Sequence, residues 1–247
     1  MAVLIELAGE LRKNLNPDRS LVFVAFTGEE AGKRGSGYYV AHQQQYPLEK
    51  CIGMLNLDTV GRLGKKKLMV LGAASAREWV HIFRGASFVT GVEIEMVSQD
   101  LDSSDQISFE TAGVPAIQLF TGPHADYHRP TDTAEKIDTG GLEKVAAVAK
   151  EVIEYLAARE GPLTGSRKQN EKTVSSTKKK RKVSLGTVPD FAYSGSGYRV
   201  SGVVPETPAE ACGLKEGDVI VRINSDDVGN LRLREGLSRS DRGRAVR

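Results

Sequence analysis

Leu21-Val22-Phe23-Val24-Ala25-Phe26-Thr27-Gly28-Glu29-Glu30-Ala31-Gly32 is the stretch on which the reading of this chain turns. Six apolar, mostly strand-forming residues run into a glycine, and two adjacent carboxylates follow. The continuous apolar run predicts a buried strand over 20–27. A buried strand that ends in two acids sets them at the carboxyl edge of a sheet, where open α/β folds assemble their sites. Consecutive side chains diverge there, so one acid can hold a metal while its neighbour faces water or substrate. The same pair also suits a helix N-terminus, where the dipole favours negative charge. The surrounding sequence has to separate the two readings.

Working outward, helical and strand patterns alternate through residues 1–159. A helix over about 2–15 precedes the first strand, and one around 36–44 follows the acids. Strands are predicted at 51–58, 67–72, 92–97 and 115–120. Helices are predicted around 76–87, which holds the single tryptophan, Trp79, around 105–111, and from about 141 to 158. In the last of these Leu142, Val145, Val148, Val152, Ile153 and Leu156 form one apolar stripe. Such alternation reads as an α/β sandwich with a mostly parallel sheet. Residues 160–182 lose every hydrophobic period and end in Lys178-Lys179-Lys180-Arg181-Lys182, which reads as a basic flexible linker. A second compact unit is expected over 183–237, and the Arg-rich end, 238–247, is expected to be disordered.

Bulk properties exclude several classes. The chain has 247 residues, 40% of them hydrophobic, and a formal net charge of +2, so nothing global argues for nucleic acid. Its two cysteines, Cys51 and Cys212, form neither a disulfide framework nor a thiolate metal site. No apolar run approaches a membrane span. Met1–Leu15 lacks the basic start and small-residue cleavage site of a signal peptide.

Three apolar strand ends carry metal-capable groups: Glu29-Glu30, Asp58 after Met54-Leu55-Asn56-Leu57, and His128 in Asp126-Tyr127-His128-Arg129-Pro130-Thr131-Asp132-Thr133. Two carboxylates and an imidazole from separate loops form a zinc-type ligand set, with the other glutamate left as base. These runs, in this order, resemble the co-catalytic dizinc aminopeptidases of the bacterial leucyl aminopeptidase type, related to glutamate carboxypeptidase and glutaminyl cyclase. The resemblance covers roughly residues 1–159. It implies a phosphorylase/hydrolase-like three-layer sandwich and a zinc metallo-exopeptidase acting on peptides. Residue by residue, it implies Glu29 as general base, Glu30 and His128 on one zinc, and Asp58 on the other. Asp105 matches an acid near that family's active site, although a helix cap explains it nearly as well. His124, four residues before His128 but flanked by Pro123 and Pro130, is expected to lie beside the site or face solvent rather than share a helix face with His128.

The family also uses a His-x-Asp strand end and a bridging aspartate upstream of the first helix seen here, and this chain begins at that helix. The expectation is therefore an incomplete chain, weakly active or inactive, that binds at most one zinc where the family binds two. The rival readings are a glutaminyl-cyclase-like acyltransferase and a non-catalytic binding relative. Localisation stays open, with an exported parent as one option.

The second unit resembles a PDZ domain of the bacterial protease-associated type. The resemblance is carried by Tyr198-Arg199-Val200-Ser201-Gly202-Val203-Val204-Pro205, Pro208-Ala209-Glu210-Ala211-Cys212-Gly213-Leu214 and Glu216-Gly217-Asp218-Val219-Ile220-Val221-Arg222-Ile223-Asn224. The Gly-Leu-x-x-Gly-Asp-x-Ile run reads as a helix C-cap, a tight turn and a buried strand. Leu185-Gly186-Thr187-Val188 falls where such domains place the loop that holds a peptide C-terminus. Leu231–Leu237 is the expected start of the groove helix, with no closing strand after it. The partial unit is expected to form an incomplete groove.

Overall fold

The computed structural model describes residues 1–43, 45–97, 104–165, 185–190, 193, 195–223 and 226–228. They fall into two compact units, one of Met1–Gly122 with the chain from Ile137, the other of Pro123–Lys136 with the chain from Ser175.

The first unit is built on a four-stranded sheet. Its strands are β1 (Met54–Leu57), β2 (Leu68–Leu71), β3 (Ile94–Val97) and β4 (Ala116–Phe120), in the order β1-β4-β2-β3. β1 runs parallel to β4 and β2 parallel to β3, whereas β2 and β4 are antiparallel. The strand period of two splits the sheet's side chains between its faces. Leu55 and Leu57 of β1, Leu68 and Val70 of β2, and Ile117 and Leu119 of β4 join the main core. That core is shared with α1 (Ala2–Asn14), α3 (Trp79–Thr90) and α5 (Thr139–Ala158), with α1 and α3 both packed on α5. Met54 and Ala116, in the opposite phase, join a smaller cluster with Phe109 of α4 (Gln106–Thr111) and Tyr39 and Val40 of α2 (Arg34–His42). Helices on both faces make the three layers.

The helices form where the apolar spacing puts them. Val3, Leu7 and Leu11 of α1 are buried at every fourth position, and Val145, Val148, Val152 and Leu156 of α5 follow the same stripe. Trp79 is fully buried, and its indole N–H donates to Ser75 Oγ at 2.9 Å, so no polar group is left unmet. Asp138 starts α5. Its Oδ1 accepts from Gly141 N (3.0 Å) and its Oδ2 from Gly64 N (2.7 Å), which also pins the connection after β1. Those two N–H donors hold its carboxyl below the ordinary carboxylate range.

A second clasp closes the unit. Glu78 accepts from Thr164 N and Oγ1 and from Arg159 Nη2. Burial pushes the Glu78 carboxyl up, but these donors outweigh it and the net shift is downward. Leu163 is buried in the main core and Gly165 bridges to Ala76. The chain is thus held to α3 as far as Gly165.

The stretch predicted as the first strand behaves differently. Residues 21–28 belong to no sheet. Among the described residues, Leu21–Phe26 make no backbone hydrogen bond; only the Thr27 and Gly28 carbonyls accept, from Gly35 and Arg34. Apolar, β-prone side chains supply one condition for a strand, and a neighbour with a matching ladder supplies the other.

The second unit contains β5 (Thr187–Pro189), β6 (Tyr198–Val203), α6 (Pro208–Ala211), β7 (Val219–Ile220), β8 (Arg222–Ile223) and β9 (Asp226–Asp227). β6 pairs antiparallel with β5 and with β7 around a small core of Tyr198, Val200 and Val228. The predicted cap, turn and strand are present, but the strand expected to be buried is not: in β7 Val219 is exposed and Ile220 half-buried. Gly213 follows α6 with φ 75°, Leu214 N donates to Ala209 O, and Lys215 N donates to Asp218 Oδ2 just before β7. The basic run 178–182, the helix expected from Leu231–Leu237 and the tail 238–247 lie outside the described residues.

Candidate active site

Glu29 and Glu30 sit in the turn between the apolar run and α2, and backbone hydrogen bonds close that turn. Gly32 N and Lys33 N donate to Glu29 O (2.8 and 2.7 Å), Arg34 N to Gly28 O (3.0 Å) and Gly35 N to Thr27 O (2.9 Å). Gly28 takes φ 69° and Gly32 φ 99°, a region that side-chain-bearing residues rarely adopt. Gly35 packs so tightly on Thr27 that a β-carbon there would collide with the Thr27 carbonyl. Glu29 is half-buried and Glu30 exposed. The helix-start reading fails at the pair itself, because α2 begins only at Arg34.

Asp58 follows β1 directly and is half-buried. Thr59 next to it has φ 53° and donates through Oγ1 to Asp58 Oδ1 (3.2 Å). The Thr59 carbonyl accepts from both the N–H and the hydroxyl of Thr121 (3.2 and 2.6 Å), which ties the ends of β1 and β4 together. Beneath Asp58 lies polar chemistry in an otherwise apolar sheet. Asn56 pairs in register with buried Gln118, and Asn56 Nδ2 donates to Oε1 of buried Gln106 (3.2 Å). Asp105, beside Gln106, is 8% exposed, and its Oδ1 has no hydrogen-bond partner among the described residues. It occupies the N-cap position of α4 yet makes no side-chain cap bond, so capping does not account for it. Gln106 and Gln118 went unread in the sequence. For Gln118 the signal was there: Asn56 and Gln118 place an amide in each of two apolar strands, in register on one face.

His128 and His124 lie in the loop 123–136 of the second unit. His128 has φ 60°, is exposed, and stacks on Tyr127 with ring centroids 3.9 Å apart. His124 Nε2 lies 3.8 Å from Asp132 Oδ2. The loop is a series of turns, with Tyr127 N on His124 O and Arg129 N on Asp126 O, so the two histidines do not share a helix face. Lys136 Nζ bonds Asp126 Oδ1 at 2.6 Å.

Carboxylate and imidazole donors are chemically right for zinc. Among the described residues no three His, Cys, Asp or Glu side chains gather closely enough to hold a metal ion.

Residues 1–153 match peptidase family M28. The chain belongs to peptidase family M28. Residues 199–233 match the PDZ domain family. Aminopeptidase YwaD of Bacillus subtilis (strain 168) is 29% identical over 174 residues, covering 66% of this chain and 38% of YwaD. The solved aminopeptidase from Aneurinibacillus sp. strain AM-1 is 32% identical, with a TM-score of 0.57 over 66% of this chain and 39% of that one. BSAP, a zinc aminopeptidase from Bacillus subtilis, is 27% identical with a TM-score of 0.57, covering 66% of this chain and 40% of its own. The chain therefore spans about two fifths of the length of these M28 relatives. Its mixed, mostly parallel sheet with helices on both faces is the M28 peptidase fold of those structures.

Proposed function

We propose that residues 1–159 belong to a zinc-dependent aminopeptidase that removes residues from peptides. The observation that carries this reading is the Glu29-Glu30 turn, in which backbone bonds and close-packed glycines fix two adjacent acids at the end of an apolar run. In this reading Glu29 is the general base: it accepts a proton from the attacking water and returns it to the leaving amine. Glu30, Asp58 and His128 are proposed as donors to zinc, the metal named for BSAP, with the remaining donors supplied from outside this set. Residues 1–247 alone are proposed to bind at most one zinc, weakly, and to turn over little substrate. In the PDZ-like unit, the Leu185–Val188 loop is proposed to receive a peptide C-terminus. There the Leu185 and Gly186 carbonyls are already occupied by Ala209 N and Val204 N, and Gly186 takes φ 85°.

The test is metal content and turnover of leucyl-anilide, each measured for the unaltered protein, Glu29→Gln and Glu30→Gln. Glu29→Gln keeps the shape, removes the proton acceptor and is expected to cost about 10²–10⁴-fold in rate with zinc content unchanged. Glu30→Gln is expected to lower zinc content together with rate. Loss of zinc in Glu29→Gln but not in Glu30→Gln would reverse the two roles. Cyclisation of glutaminyl peptides without anilide turnover would replace the peptidase by an acyltransferase.

A further inference from the structure

The turn that follows Asp58 is held from several sides. Asp138 N donates to Gly61 O (2.9 Å) and Arg62 N to Thr121 Oγ1 (3.2 Å). Leu63 is buried in the main core, Gly64 N donates to Asp138 Oδ2 (2.7 Å), and Lys66 N donates to Leu63 O (3.0 Å). The backbone of 61–66 is thereby fixed to the end of β4 and to the start of α5. It carries two cations, Arg62 and Lys66, four and eight positions after Asp58.

The sheet topology sets where these cations stand. β1 and β4 run parallel, so Asp58 and Thr121-Gly122 leave the sheet at one edge; β2, antiparallel to β4, enters at that edge just after Lys66-Lys67. Gly122 has φ 86° and no side chain, and Lys66 lies against it. A β-carbon at 122 would stand 3.4 Å from Lys66 Nζ and 3.9 Å from Lys66 Cδ. The lysine is thus laid across the end of β4. Burial and the neighbouring Arg62 guanidinium push its ammonium below the ordinary lysine value. Lys67 lies 3.8 Å from Glu93 Oε2, but among the described residues no carboxylate pairs with Lys66. Two like charges at a partly desolvated strand end are unfavourable by themselves, and an anion received between them offsets both effects.

We propose that Arg62 and Lys66 form a carboxylate-binding subsite beside Asp58, which selects peptides carrying a carboxylate past their first residue. That carboxylate comes from an acidic side chain or from the C-terminus. The inference deepens the aminopeptidase reading and rests on it for the ligand being a peptide. The pairing suits a carboxylate: arginine offers a planar fork of donors, lysine a point charge, and both stand on a backbone already fixed before binding.

The experiment titrates the full chain by calorimetry, with a chelator present so that no zinc takes part. The probes are Leu-Leu-amide, Leu-Glu-amide and Leu-Leu with a free C-terminus. At least one carboxylate peptide is expected to bind about tenfold more tightly than Leu-Leu-amide, with the advantage reduced to about twofold or less in Lys66→Gln and in Arg62→Gln. Lys66→Arg should retain the advantage, and so should Lys65→Gln, which alters a neighbouring exposed lysine. Lys66→Glu should reverse it, so that Leu-Lys-amide binds more tightly than Leu-Glu-amide, a gain that unfolding cannot produce. An advantage for Leu-Glu-amide alone identifies the side chain as the source, and one for free Leu-Leu alone identifies the C-terminus. The proposal is overturned if no peptide binds or if all three bind equally. It is also overturned if the advantage survives Lys66→Gln and Arg62→Gln, or if Lys65→Gln removes as much of it as Lys66→Gln does. Selective binding with turnover unaffected by Glu29→Gln would keep the subsite and remove the catalytic reading. Equal binding with turnover lowered by Glu29→Gln would do the opposite.

Discussion

β4 (Ala116–Phe120) and Leu21–Phe26 are two apolar runs of similar composition with opposite fates. All five β4 residues are buried, and the strand is laddered to β1 on one side and β2 on the other. Leu21–Phe26 is half-exposed and laddered to nothing described. What separates them is the supply of neighbours. A buried peptide group without a partner costs about as much as a lost hydrogen bond, so an apolar run becomes a strand only when another edge meets it.

The contrast can be broken by mutation, and the largest effect is expected at its buried end. Ile117 has no exposure, and Ile117→Ala should lower stability by about 2–5 kcal/mol through lost burial and a cavity, read by denaturant melts. A loss under about 1 kcal/mol would mean that β4 is not the packed centre described here. Glu78→Ala should cost about 1–3 kcal/mol, because Thr164 and Arg159 lose a charged acceptor. Proteolysis of this variant should then begin closer to Arg159. Asp138→Ala should cost about 1 kcal/mol, the usual value of a lost N-cap.

Both carboxyls also predict a pH dependence. Each is held lower in the fold than in the unfolded chain, so on the acid side the unfolded chain binds more protons and stability rises with pH. Their contribution is complete above the ordinary carboxylate range and is lost as pH falls through the lowered folded values. Glu78→Gln with Asp138→Asn should flatten the acid limb of a stability–pH curve. An unchanged acid limb would place the proton uptake elsewhere. The smallest effect belongs to the unpaired run. Val22→Ala should change stability by no more than about 0.5 kcal/mol in the chain alone, and a large loss there would show that the run is already a packed strand.

The same contrast marks what the sequence made legible. Periodicity located α1, α3 and α5, and it located β1 to β4 within a few residues, because each buries a stripe or face whose spacing is written in the chain. It also foretold the Gly213 cap and the turn into β7, where glycine is the residue that fits a left-handed backbone. It misread 20–27 as a strand, since a sequence shows side-chain preference and not the presence of a partner edge. Long-range polar contacts were equally silent: Glu78 meets Thr164 86 positions away, and Asn56 meets Gln106 50 positions away. At the candidate site, Glu29-Glu30 and Asp58 stood out because acids after apolar runs are costly without a purpose. Asp105 was readable only in part. Its position suggested a cap, and the structure shows a buried oxygen that caps nothing.

The turn at Gly28–Gly35 has a further consequence for anyone altering this protein. Its shape is written in main-chain bonds and in the absence of side chains at 28 and 35. Substitution at Glu29 or Glu30 leaves the main-chain donors and acceptors of those bonds in place. The residue that tolerates no such editing is Gly35, which carries no chemistry at all: one added methyl group would meet the Thr27 backbone and move both carboxylates together.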